Sequence, residues 1–207
     1  MIISHKYKYI FIAVPKTGTH AVRNILRPHM EEGDLEQVDL FEKKRLPWYQ
    51  LALKQHGHIK AGEIRQFFDK SLWKTYYKFA FVRNPWDRFI SLAFFIGRNS
   101  TDFKKDPTGF LHSIADNDHL FLNRILFRPQ YEFVMERKKV MTDFTGRYEN
   151  FQEDFNRICH KTGIPPETLP IINTTDHKHY REYYDETLKE KVFKRYKGDV
   201  EAFGYGF

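Results

Sequence analysis

A chain of 207 residues is long enough for one domain with a sizeable core and too short for several. Its net charge of +7 and pI near 9.3 favour an acidic partner, whether nucleotide, anionic glycan, nucleic acid or membrane surface, without choosing among them. One cysteine, Cys159, excludes an internal disulfide, so a reduced, cytoplasmic setting is expected. The basic residues His5, Lys6 and Lys8 precede an apolar run that ends at Pro15 and Lys16. That run is too short for a signal sequence or an integral membrane segment.

No repeat, low-complexity tract or Gly/Ser linker interrupts the chain, which predicts one folded domain over residues 1–207. Residues 7–14 (YKYIFIAV) alternate and then run apolar, as a strand does on entering the middle of a sheet. A short loop, PKTGTH, leads into THAVRNIL, whose Ala21, Val22, Ile25 and Leu26 have helical spacing and which Pro28 stops. Residues 54–68 (KQHGHIKAGEIRQFF) predict a further strand followed by a short helix. The strand–loop–helix order returns with a strand at 78–82 and a helix at 85–96, where Asn84 suits the N-cap, Pro85 the first position and Asp87 the first turn. Helices are also predicted within 151–159 and 185–203, making the C-terminal third helical. Strands alternating with helices predict an α/β fold: a three-layer, P-loop-like, mostly parallel sheet with helices on both faces. The basic run ERKKV at 136–140 and the cations between Lys189 and Lys197 read as solvated helix faces.

In such a sheet the loop from first strand to first helix lies at the carboxyl edge, where ligands bind. Pro15, Lys16, Thr17, Gly18, Thr19 and His20 there present successive backbone N–H groups at a helix N-terminus, and Lys16 adds a full charge. The stretch is not G-x-x-x-x-G-K-[ST], because the first glycine is absent and the lysine precedes the single Gly18. Its shorter span suits a terminal phosphate or phosphosulfate; an ordinary strand-to-helix turn is the alternative. Arg83, at the end of the second predicted strand, and Ser91 in the helix after it combine a planar guanidinium fork with a hydroxyl, which fits a phosphate.

PKTGTH followed by RNPWDRFIS resembles the two nucleotide-binding signatures of the sulfotransferases that use 3′-phosphoadenosine 5′-phosphosulfate (PAPS), particularly the carbohydrate sulfotransferases. QHGHIKAGEIRQFF is similar to the H-G-H segment of the uronyl 2-O-sulfotransferase branch. FTGRYENFQEDF and REYYDETLKEKVFKRYKGDVEAFGY resemble the family's R-x-E-N and Y-x-x-D-x-x-x-F-G-Y stretches. The resemblance spans nearly the whole chain and is loosest over 97–135. It does not extend to the membrane anchor and stem of animal members, so a cytoplasmic enzyme of bacterial or viral type is expected rather than a Golgi one.

The resemblance implies that the 15–20 loop, Arg83 and Ser91 hold PAPS and its product adenosine 3′,5′-bisphosphate (PAP). It makes His58, the second histidine of H-G-H, the catalytic base towards a carbohydrate or glycan hydroxyl. Lys16 then stabilises the charge that grows on the leaving phosphate, and no obligatory metal is expected. His56 would orient His58 or meet the acceptor, and His20 would cover the nucleotide or merely cap the turn. Arg128 and Gln130 are candidates to face an acidic substrate, and Trp48, Tyr49 and Trp73 to line its groove. Arg147 anchors the fold through Glu149 or touches ligand. A P-loop-like kinase would need acidic metal-holding residues after a strand, which the sequence does not offer. A nucleic-acid-binding module would need a recognition motif, also lacking, so no nucleic-acid partner is expected. Zinc held by His56, His58, His177 and His179 lacks a persuasive further ligand.

Overall fold

The structure, a computed structural model, describes residues 1–38, 46–54, 56–170 and 178–207. In chain order, β1 (Ile2–Ser4) and β2 (Tyr9–Ile12) lead into α1 (Thr19–Leu26). Next come β3 (Leu35–Glu36), α2 (Tyr49–Ala52), α3 (Ala61–Phe67), α4 (Lys70–Thr75) and β4 (Tyr77–Val82). The helices α5 (Pro85–Gly97), α6 (Thr101–Lys105), α7 (Pro107–Asp116), α8 (Asp118–Asn123) and α9 (Tyr131–Val134) follow. The chain then forms β5 (Met135–Glu136), β6 (Lys139–Val140), β7 (Phe144–Arg147), α10 (Phe151–Thr162) and α11 (Glu186–Phe203). Two compact units result, one from Met1–Val82 and Glu132–Ile172, the other from Arg83–Tyr131 and Asn173–Phe207.

The first unit is built on a sheet of order β3-β1-β2-β4-β7. β4 runs parallel to β2 and to β7, whereas β1 is antiparallel to β2 and β3. The sheet is therefore mixed rather than mostly parallel. The cause is the short turn between Ser4 and Tyr9, since parallel neighbours need a crossover of a dozen or more residues. Tyr9, Phe11, Phe79 and Phe81 share one face and pack with Val22 and Leu26 of α1 and Phe155 and Ile158 of α10. Phe11 stacks on Phe79 at 5.2 Å between ring centroids. Ile10, Ile12, Ala80 and Val82, on the other face, are buried as well, which is why these strands read as continuous apolar runs instead of alternating.

α1 covers the predicted 19–26, and α5 is capped as expected: Asn84 Oδ1 accepts from the Trp86 and Asp87 amides at 3.1 and 3.5 Å. Two further expectations fail. Residues 56–60 form no strand; the Gln37 side-chain amide takes the carbonyls of Leu51, Lys54 and His56 at 2.7, 3.0 and 3.3 Å, bonds that fix an irregular path. The ERKKV run is a hairpin of β5 and β6, not a helix face, and its turn residues Arg137 and Lys138 both have positive φ (47° and 64°), as a tight hairpin turn requires. In the second unit, Phe89 and Ile90 of α5 pack with Leu111 of α7 and Leu188, Val192 and Tyr196 of α11.

Phe79 sits at the centre of the aromatic face and is fully buried. Phe79→Ala is expected to cost about 3–5 kcal/mol of stability, read in urea unfolding as a lower midpoint with an unchanged slope.

Candidate active site

The loop after β2 leaves the sheet through Ala13 and Val14. Thr17 closes it by donating from Oγ1 to the Val14 carbonyl at 3.0 Å. Lys16 has φ 64° and Gly18 φ 78°. Left-handed backbone is natural for glycine but costs a lysine about 1 kcal/mol or more, so the loop centre is held in a conformation its sequence does not prefer. A Cβ on Gly18 would overlap the Phe151 ring, which fixes glycine there for a second reason. Gly18 is also the N-cap of α1 and provides no side-chain acceptor, whereas α4, α5, α6, α7, α8 and α11 each begin with an Asp, Asn or Ser side chain accepting first-turn amides. An uncapped helix start beside a lysine is a donor set suited to a tetrahedral anion. Lys16 is half-buried, Pro15, Thr17 and Thr19 are buried, and His20 is exposed in the first turn.

The structure brings the H-G-H segment to the stem of this loop. His58 Nδ1 lies 2.7 Å from the Ala13 carbonyl. A carbonyl only accepts, so Nδ1 carries the proton and Nε2 of the neutral ring keeps its lone pair. Burial of the charged form pushes the His58 pKa well below the usual 6.5; the bond to Ala13 opposes the shift, and the charges of Arg23, the Met1 amine and His56 add to it. The ring is nonetheless partly exposed. A Cβ on Gly57 would overlap the Gln37 carbonyl oxygen and lie 2.7 Å from Arg23 Nη2, so only glycine allows the two histidines to flank this point. Arg23, buried on α1, has Nε 3.9 Å from Glu36 Oε1, and Arg27 Nε donates to both oxygens of the same carboxylate at 3.0 and 3.1 Å. The His56 and His58 ring centroids are 6.3 Å apart. Sequence reasoning missed Arg23; its place on α1 at an otherwise apolar position was the one available signal.

β7 ends beside β4, with Arg147 paired to Val82 in register. Arg147 is anchored through its backbone amide to Asp154 Oδ2 at 2.7 Å, a partner the sequence did not suggest. Of the aromatic groove candidates, Tyr49 is 71% exposed, while Trp48 stacks on Phe67.

In the second unit, the Arg83 guanidinium is gripped by Asp87, Nε to Oδ2 at 2.6 Å and Nη2 to Oδ1 at 2.9 Å. Its backbone is clamped on both sides by Gln130, whose Oε1 accepts from the Arg83 amide at 2.9 Å and whose Nε2 donates to the Arg83 carbonyl at 2.8 Å. Asp199 of α11 holds this clamp by accepting from the Gln130 amide at 2.9 Å and the Tyr131 amide at 2.8 Å. Burial raises the Asp199 pKa, against the pull of Arg88 and those amides. Gln130, expected to face substrate, is instead fully buried and hydrogen-bonded to the Arg83 backbone. Arg128 is half-exposed and its carbonyl accepts from Arg88 Nη2 at 2.8 Å. Ser91 is buried on α5, one helical turn beyond Asp87.

Among the described residues no three His, Cys, Asp or Glu side chains gather as a metal site, and His177 lies outside them. No helix of the described residues is long and apolar enough to cross a membrane.

Carbohydrate sulfotransferase 10 of Homo sapiens is 22% identical over 99% of this chain and 66% of its own length. Carbohydrate sulfotransferase 14 of Mus musculus is 24% identical over 80% of this chain and 47% of its own length. An uncharacterized protein of Archaeoglobus fulgidus is 34% identical over 59% of this chain and 98% of its own length. The chain spans about two thirds or less of the named carbohydrate sulfotransferases. No solved structure matches it. The sulfotransferase family model matches residues 1–206, the uncapped loop, the H-G-H segment and the clamped arginine included, and the chain belongs to that family.

Proposed function

We propose that the protein transfers a sulfuryl group from PAPS to a hydroxyl of a carbohydrate or glycan acceptor, with His58 as the base and Lys16 as the electrostatic catalyst. The observation that carries this reading is the His58–Ala13 hydrogen bond, which leaves Nε2 of a neutral histidine unprotonated at the stem of the loop we assign to the anion. PAPS, when bound, supplies a sulfuryl group on a phosphate leaving group. The loop residues fit such an anion because α1 begins without a side-chain cap and Lys16 stands at its turn.

His58 Nε2 accepts the proton of the attacking hydroxyl while Nδ1 stays bonded to Ala13, so the ring becomes cationic without turning. Lys16 and the loop amides counter the negative charge that grows on the leaving oxygen, and their fixed geometry needs no rearrangement. Arg83 and Ser91 take the 3′-phosphate, and the Gln130–Asp199 clamp holds the arginine in register for it. Asp87 orients the guanidinium from one edge. His56 and Arg128 are the side chains we assign to the acceptor. The enzyme is proposed to work in the cytoplasm without a metal.

His58→Ala should lose transfer, by about 100-fold or more in kcat, while still binding PAP in calorimetry; normal turnover would move the base to His56 or His20. Only the neutral ring accepts a proton, so the rate should be flat near neutral pH and fall as pH drops through the lowered His58 pKa, below 6.5. Arg23→Met removes a positive neighbour and should move that acid limb to higher pH; an unmoved limb would separate it from His58. Folding stability should begin to fall at higher pH than the rate does, from about 6.5 down to the lowered pKa, because the unfolded histidine protonates first.

Lys16→Ala should lower kcat by roughly 100-fold while PAP binding is weakened but measurable, with activity surviving EDTA; near-normal turnover would return Lys16 to a structural role. Arg83→Ala should erase most of the preference for PAP over AMP, a change of about tenfold or more. Equal wild-type affinity for the two nucleotides would remove the assignment.

A further inference from the structure

The strands of the first unit have a second end. Around their starts, the turn before β2 (Tyr7, Lys8), the end of α4 and start of β4 (Lys74, Tyr77), Asp143 and the end of α10 (Lys161) line an open hollow of about 370 Å³. The 15–20 loop follows the carboxyl end of β2, so this hollow lies at the opposite edge of the sheet, separated by roughly the 20 Å that a six-residue strand such as β4 spans.

The charges here do not cancel. Asp143 is the one acid of the lining, and it is taken: its Oδ2 lies 2.7 Å from Lys78 Nζ and accepts from the Lys78 amide at 2.8 Å. Lys8, Lys74 and Lys161 are exposed and have no ion-pair partner among the described residues, whereas Lys54, Lys60, Lys189, Lys191, Lys194 and Lys197 all pair with carboxylates. Lys161 alone would be explained by the helix end it occupies. Lys8 has no such explanation: its φ is 51°, a value that Gly or Asn adopts more readily, and its carbonyl is fixed by the Tyr77 amide at 2.8 Å. The half-buried Tyr7 and Tyr77 add aromatic rings with hydroxyl groups to the same lining.

We propose that this hollow is a second binding site, which holds a sulfated or carboxylated saccharide segment of the acceptor chain away from the transfer site. The proposal rests on the reading of the acceptor as a glycan. Its chemistry is consistent with that reading: a polymer that receives sulfate becomes a polyanion, so a site for charges already on the chain retains the polymer between transfers. A volume near the lower end of ligand pockets suits one or two sugar units. Lys8, Lys74 and Lys161 line one hollow of about 370 Å³, smaller than the multi-nucleotide track of a single-stranded nucleic-acid site, which favours a saccharide segment.

The test is a triple variant, Lys8→Asn, Lys74→Ser and Lys161→Ser, in which asparagine keeps the left-handed turn. Binding of a heparin octasaccharide, its desulfated form, inorganic sulfate and a single-stranded DNA of equal charge is measured by calorimetry, with PAP as a separate titration. The octasaccharide should bind the wild type more tightly than the other three probes do. It should bind the variant about tenfold or more weakly, as three solvent-facing charge contacts allow, while PAP affinity stays unchanged. If the triple variant fails to fold, Lys74→Glu alone should give a smaller loss of the same sign. Undetectable wild-type binding, or equal octasaccharide affinity in wild type and variant, would overturn the site. DNA bound as tightly as the octasaccharide and lost in parallel would overturn its assignment to saccharide. A wild type that does not bind PAP would instead count against the sulfotransferase reading, and the octasaccharide comparison would still report on this site.

Discussion

The bond between His58 and the Ala13 carbonyl joins what would otherwise be two unrelated segments, and it depends on how β2 is held in the sheet. β2 is buried on both faces and paired on both edges, with β1 and with β4. The carbonyl just beyond its last ladder residue is therefore held by the sheet, not by the loop. A histidine fastened there has its tautomer chosen for it: the acceptor carbonyl fixes the proton on Nδ1 and the lone pair on Nε2. The three residues that follow Ala13 lead to Lys16, so the proposed base and the proposed electrostatic catalyst share one rigid stem.

That junction demands unusual backbone on both sides. Lys16 adopts a left-handed conformation at the loop turn, and Gly57 passes so close to the Gln37 carbonyl that no side chain fits. The same glycine lies against Arg23, which projects from α1, the helix that the loop begins. Helix, loop and H-G-H segment thus form one contact set, in which a buried cation sits near the proposed base. Burial already disfavours the charged ring, and a cation there adds to that effect.

Much of this was legible in the chain. The apolar run before PKTGTH, the spacing of THAVRNIL and the Asn84-Pro85 start of α5 are local signals, and local signals fixed the elements they predicted. The positions that misled are those where a distant partner decides. Residues 56–60 alternate like a strand, but the Gln37 side chain claims carbonyl groups that a ladder would need. The charged ERKKV run looks helical by composition, yet two positive φ angles make it a hairpin. Phe144–Arg147 contains a glycine and gave no strand signal; it pairs with β4 because Gly146 leaves room for Phe81, whose ring a Cβ would meet at 2.6 Å. Gln130 looked like a surface amide because nothing nearby in the sequence announces Asp199.

Asp199 itself is hard to explain as a stabiliser. It is fully buried, its pKa is raised by that burial, and its nearest cation, Arg88, lies 3.9 Å away, too far for a close ion pair. Buried charges of this kind often contribute no more than a well-packed apolar group would. Its value is geometric. One carboxylate accepts from the amides of Gln130 and Tyr131, turning the chain so that the Gln130 side chain meets the Arg83 backbone from both sides. Removing the carboxylate would strand the amide donors of Gln130 and Tyr131 and release the clamp at the same time. The buried aspartate thus sets the register of the arginine through hydrogen bonds to two consecutive amides, and not through an ion pair.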